Sequence, residues 1–162
     1  MAGERPEGLQ AWMGLCEVVD RVRVLINRDL QAEVGLTLAE NLVLCQVAMA
    51  PGHRLRMVEI SDGLGVAKSA VTKTVDRLEE RGLVVRERDP DDRRTVYGAL
   101  SPEGHEVFAA ARPAFVEAVE RHFARQLDRA TLRQLLDLPA LVAQPATGSD
   151  RGPRRPGRPD GY

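Results

Sequence analysis

Lys68, Ser69, Thr72 and Lys73 have the types and the spacing to read a polyanion. They sit at steps of one, three and four residues, so a helix over this stretch presents them on one side. Val71, Val75 and Leu78 recur at four- and three-residue steps and form an apolar stripe on the other side. Lys, Ser and Thr donate to phosphate oxygens and to base edges, and the major groove of B-DNA admits one such helix. The helix breaks a local rule at its start. Ala67 stands where Ser, Thr, Asp or Asn is preferred as a cap, and Lys68 brings a cation to the positive helix end. That placement costs a few tenths of a kcal/mol, up to about 1, which an approaching phosphate offsets. The acids Asp76, Glu79 and Glu80 gather at the far end. A lone lysine on a helix is ordinarily just solvated, so the assignment depends on what surrounds it.

A second cluster follows at residues 89–94, DPDDRR. At a hairpin tip, Arg93 and Arg94 suit a narrow minor groove, whose negative potential attracts arginine. Asp92 is placed to pair with Arg94 and hold it extended. By itself the run is an ordinary charged turn.

Other chemistry finds little support. Cys16 and Cys45 do not make a disulfide framework, and each is better read as a buried inert thiol than as a redox centre. His53, His105 and His122 are scattered without metal-ligand spacing, so no metal or cofactor is expected. The chain carries no P-loop, dinucleotide fingerprint, nucleophile elbow or His-Glu-x-x-His motif, which argues against an enzyme. The 162 residues, 43% apolar and 29% charged, fit one globular domain with some length to spare. Three Phe, two Tyr and one Trp leave the core to Leu, Val and Ala, which favours packed helices. Net charge is −1. Four basic and seven acidic side chains lie up to His53, against ten and nine over residues 54–94, so bulk charge alone does not locate a nucleic-acid site. No apolar run is of membrane-spanning length and the first residues are polar, so a cytoplasmic protein is expected.

The elements that must position these side chains are legible from periodicity and punctuation. A helix spans about 9–33 and stops at Gly35. Thr37 to Glu40 reads as a capping box for a second helix, ended by Pro51-Gly52. Arg54-Leu55-Arg56 is too short to classify. Helices over about 57–64 and 67–81, separated by Gly65-Val66, make a helix-turn-helix. Strands over 83–88 and 95–100 flank the DPDDRR tip as a β-hairpin, a wing. Ser101-Pro102 caps a further helix, which Pro113 should kink or divide. A last helix covers about 128–142, and the Pro/Gly/Arg tail over 144–162 is expected to be disordered.

With the elements in order, the chain resembles the MarR family of regulators. The run LRMVEISDGLGVAKSAVTKTVDRLEERGLV at 55–84 is similar to the family's helix-turn-helix, and DPDDRR followed by LSPEG at 100–104 to its wing and the helix after it. The resemblance covers about residues 9–143. It implies a mainly α winged helix-turn-helix with a small β-hairpin wing, a DNA-binding lobe over about 37–100, and N- and C-terminal dimerisation helices within one domain over 1–143. It implies a homodimer on a palindromic double-stranded DNA operator, acting as a repressor that a small organic effector releases. Lys68, Ser69, Thr72, Lys73 and Arg77 would lie at or near the major groove, with Arg94 in the minor groove braced by Asp92. Trp12, Arg21 and His53 are candidates to line an effector pocket. The peroxide-sensing branch of the family keeps a reactive cysteine on the first helix, where Cys16 lies, but Leu30 and Leu38 stand near where its supporting tyrosines would be. Two alternatives stay open: a redox-sensing repressor using Cys16 or Cys45, and a winged-helix protein-interaction module without DNA.

Overall fold

The computed structural model describes residues 6–92 and 94–143. Arg93 and the tail over 144–162 lie outside the described residues. The chain divides into two compact units, residues 1–126 and 127–162.

In the first unit, helix α1 (Glu7–Val34) ends at Gly35, whose φ of 66° is the left-handed conformation that glycine adopts without steric cost. Helix α2 (Leu38–Met49) opens with the expected reciprocal cap. The Thr37 hydroxyl accepts from the Glu40 amide at 3.2 Å, and the Glu40 carboxylate accepts from the Thr37 amide at 2.8 Å. The unclassified tripeptide is strand β1 (Arg54–Arg56). Helices α3 (Met57–Leu64) and α4 (Lys68–Glu80) follow as the helix-turn-helix. Strands β2 (Val84–Arg88) and β3 (Val96–Leu100) form the wing hairpin. The sheet is antiparallel in the order β1-β3-β2, with Leu55 opposite Gly98 and Arg86 opposite Gly98 on the other side. The wing is thus a three-stranded sheet rooted at the start of α3, which a two-stranded hairpin alone would lack the pairing to achieve.

Helix α5 (Pro102–His122) starts at Ser101, whose hydroxyl accepts from the Gly104 amide at 2.9 Å and donates to the Gly82 carbonyl at 2.6 Å. Pro113 does not divide it: the helix runs on to His122. Ala111 before the proline and Ala118 after it are both fully packed, and that burial on either side outweighs one lost backbone hydrogen bond. One core gathers Val43, Leu44 and Val47 of α2 with Ile60, the Val71–Val75–Leu78 stripe of α4, and Val84 and Leu100 of the sheet. A second packs Ile26 and Leu30 of α1 against Leu38 and Ala118. The helix-turn-helix and the wing therefore stand on a shared core.

The described part of the second unit is helix α6 (Arg129–Ala143), begun by Asp128, whose carboxylate accepts from the Thr131 amide at 2.7 Å. Pro139 lies within it, and Leu136, Leu141 and Val142 are exposed. Among the described residues no single helix is long and apolar enough to cross a membrane.

Candidate nucleic-acid interface

Helix α4 presents two ranks of side chains away from the core. Lys68, Thr72 and Asp76, four residues apart, line a groove of about 670 Å³ whose other walls are Arg56 to Val58, Arg86 of β2, and Arg94 to Val96 at the wing. Ser69 and Lys73 form the neighbouring exposed rank. The first turn of α4 has no side-chain cap, and Lys68 stands exposed in it. Anions are favoured at such an end, because the amides lack intrahelical acceptors and the helix dipole is positive there. The Thr72 hydroxyl donates to the Lys68 carbonyl at 3.0 Å, which leaves its oxygen lone pairs as acceptors.

The cations of this lobe fall into two sets. Arg56 is held by Glu59 at 2.6 Å, and Arg86 by Asp76 at 2.5 Å and by Glu79. Arg81 reaches the buried Glu40 carboxylate at 3.3 Å. Lys68, Lys73, Arg88 and Arg94 are in no ion pair among the described residues. Arg77, expected at or near the major groove, has its Nε 3.9 Å from Glu40 and its side chain 56% exposed. A carboxylate only 6% exposed needs compensating cations, and Arg77 and Arg81, one turn apart, supply them. Of the five α4 candidates, the groove and its rim thus hold Lys68, Ser69, Thr72 and Lys73.

The wing tip is ordered by its acids. Asp89 accepts from the Asp91 and Asp92 amides at 2.9 and 3.1 Å and from the Tyr97 hydroxyl at 3.1 Å. These amide bonds, the largest influence, hold its carboxyl below the usual carboxylate range. Asp92 braces the tip, but not through the Arg94 guanidinium. Its carboxylate accepts from the Arg94 backbone amide at 3.0 Å and from the Thr95 hydroxyl at 2.9 Å. The short Asp side chain reaches the amide two residues on, as in an Asx turn, and the arginine head stays uncommitted.

Residues 34–95 match the model of the MarR family. The chain is 30% identical over 119 residues to the HTH-type transcriptional repressor MdtR of Bacillus subtilis, covering 72% of this chain and 71% of MdtR. The chain belongs to the MarR family. It is 33% identical to the transcriptional regulator HosA of Escherichia coli O111:H- over 92 residues, 57% of this chain and 66% of HosA. The match spans between 45% and 66% of the length of the first curated relatives. The crystal structure of Sco3205, a MarR family transcriptional regulator from Streptomyces coelicolor in complex with DNA, superposes with a TM-score of 0.78 at 29% identity. It covers 88% of this chain and 95% of that one. Its mostly helical fold with a small three-stranded antiparallel sheet is the winged helix-turn-helix expected from its sequence.

The other candidate residues of this MarR-type chain are dispersed. Trp12 is 63% exposed on α1, and Arg21 is exposed on the same helix. The His53 ring nitrogen lies 2.8 Å from the Ala48 carbonyl at the end of α2, and its ring meets His105 edge-on at 4.7 Å. None of these three residues lines the groove at α4 or the smaller cleft of about 90 Å³ bordered by Arg23, Leu42, Val43 and Val71. Cys16 and Cys45 are half-buried free thiols. Burial pushes the Cys45 thiol up, against a smaller opposing effect of Arg112, so it is kept from the thiolate form that reactivity requires. Sequence reading missed Arg86, whose strand position gave no sign that it would meet α4, and the carboxylate Asp29 of α1. Asp29 lies 2.6 Å from the His122 ring nitrogen and 3.1 Å from Arg121 at the end of α5.

Proposed function

We propose that this MarR-family regulator binds double-stranded DNA as a homodimer and represses transcription from an imperfect palindrome. The observation that carries the reading is that Lys68 and Arg94, both free of ion pairs, line one groove, the first on α4 and the second at the wing. A helix in the major groove with Ser69, Thr72 and Lys73 at the base edges would set Arg94 toward the adjacent minor groove. The dimer reading rests on apolar side chains left exposed in each unit. On α1 these include Leu9, Trp12, Met13, Val18 and Val19, and on α6 Leu136, Leu141 and Val142. Apolar surface of this extent on a domain of this size suits burial against a second copy. Two recognition helices then call for half-sites about one helical turn apart, near 10 to 10.5 base pairs.

The repressor role is supported by the likeness to the transcriptional repressor MdtR, and a regulator of this kind works in the cytoplasm beside its DNA. Release by a small organic effector is the family's usual mode. The cleft at Arg23, apolar apart from that residue and Thr74, suits a compact organic acid better than the dispersed Trp12, Arg21 and His53. The test is fluorescence anisotropy with DNA from upstream of the protein's own gene, comparing the native chain with Arg94→Ala at low and high salt. Tight, salt-sensitive binding over random duplex, weakened by the substitution, is expected. Equal affinity for both DNAs, or no effect of the substitution, would overturn the reading.

A further inference from the structure

Arg86 lies in the groove, yet it is the cation there least available to DNA. Its side chain is 26% exposed, against 50% for Arg56. One guanidinium nitrogen donates to Asp76 at 2.5 Å and, at 3.5 Å, to the Thr72 carbonyl, while the other donates to Glu79. The residue therefore spans from β2 of the wing to three positions of α4, two of them carboxylates on the outer half of that helix. Burial works against its charge, and the two carboxylates outweigh that and hold it protonated. Without the arginine, Asp76 would face the groove as a bare anion one turn from Thr72, and Glu79 would stand one turn further on.

We propose that Arg86 is a positioning residue that neutralises Asp76 and Glu79 and fixes the wing at a set distance from α4, without itself contacting DNA. The proposal rests on the DNA-binding reading above. Its prediction differs from that for a phosphate-binding arginine in the salt slope. An arginine on a phosphate contributes to the salt dependence of binding, and its removal flattens the slope by about 0.9 per contact. Removing a masking arginine uncovers two anions, so affinity falls while the slope is retained. Removing the two anions instead frees Arg86 and shifts the local charge by two units in the favourable direction.

The experiment is a set of operator-binding titrations between about 50 and 200 mM salt, the range over which phosphate contacts reveal themselves. It uses the full-length chain, Arg86→Gln, Asp76→Asn/Glu79→Gln, and the triple variant. The expected result is about fivefold weaker binding for Arg86→Gln, because the loss of one positive charge leaves two carboxylates unpaired beside the groove. The double variant should bind more tightly than native with a steeper salt slope, and the triple variant should recover most of the loss. Tighter binding cannot arise from misfolding, so the double variant keeps the test independent of any folding defect in Arg86→Gln. A flattened slope in Arg86→Gln, or a triple variant as weak as Arg86→Gln, would overturn the masking role while native binding upholds the DNA reading. No operator binding by the native chain would remove both.

Discussion

Gly104→Ala is expected to destabilise the protein where the wing joins α5. A Cβ built at Gly104 would lie 1.9 Å from the Leu83 carbonyl oxygen and 2.9 Å from its carbon. Both atoms are backbone, so no rotamer change relieves the clash. Leu83 is itself buried, and its carbonyl accepts from the Ser101 amide at 3.2 Å. Separating the two segments strains a packed core, which costs about 1–3 kcal/mol. It also stretches the Ser101 bond, worth about 1 kcal/mol net. The better helix propensity of alanine returns at most about 1 kcal/mol, and less in a first turn. The net expectation is about 2 kcal/mol of lost stability, roughly 4–8 °C in Tm for a chain of this size. The assay is thermal and urea unfolding at fixed protomer concentration, because the proposed dimerisation would make both midpoints concentration-dependent. An alanine variant as stable as native would refute the claim that α5 and the root of β2 are in backbone contact here. The same variant should also weaken DNA binding, since β2 leads directly from Leu83 into the wing.

Thr72→Ala should change preference among operator sequences while leaving the salt slope intact, whereas Arg94→Ala should weaken all sequences and flatten the slope by about 0.9 per phosphate lost. Identical effects of the two on every sequence would contradict the division between base reading and minor-groove contact. The Asp29 carboxyl is held below its usual range first by the hydrogen bond with His122, then by Arg28, with burial opposing. A carboxyl lowered in the folded state adds stability above its unfolded pKa, near 3.9, and that stability drains away as pH falls through the folded value. Asp29→Asn should therefore be less stable at neutral pH, and the gap from native should close below about pH 4 when urea midpoints are measured across the acid range. Cys45 should react with iodoacetamide at neutral pH far more slowly in the native protein than in urea, since burial holds it as a thiol; equal rates would reopen the redox alternative.

The helices, their caps and the wing were readable because each rests on a local signal. Thr37 and Glu40 announce a capping box within four residues, and Ser101-Pro102 announces a helix start. The Val71, Val75, Leu78 stripe fixes which side of α4 faces outward before any partner is known. What could not be read depends on contacts across sequence distance. Arg54 to Arg56 becomes a strand only because β3, more than forty residues later, offers an unpaired edge. Arg77 comes within 3.9 Å of Glu40, a partner on another helix that its own neighbours in the sequence do not announce. Asp92 was expected to pair with the Arg94 side chain, but turn geometry decides which atom it meets: it accepts from the Arg94 amide.

The near-neutral net charge of −1 misleads for the same reason. A chain with as many acids as bases can still present a cationic face if the acids are spent internally, and here many are. Glu40 is sunk between α2 and α4 with Arg81, and Asp29 between α1 and α5 with His122 and Arg121. Asp76 and Glu79 are taken by Arg86, Glu59 by Arg56, and Asp89 by amides of the wing turn. Lys68, Lys73 and Arg94 are exposed and in no ion pair among the described residues. Phosphate responds to the local potential within about a Debye length, near 8–10 Å at physiological salt, and not to the sum over the chain. The pairs of Asp76 and Glu79 with Arg86 therefore do two jobs: they fasten the wing to α4, and they withdraw two anions from the surface that both share.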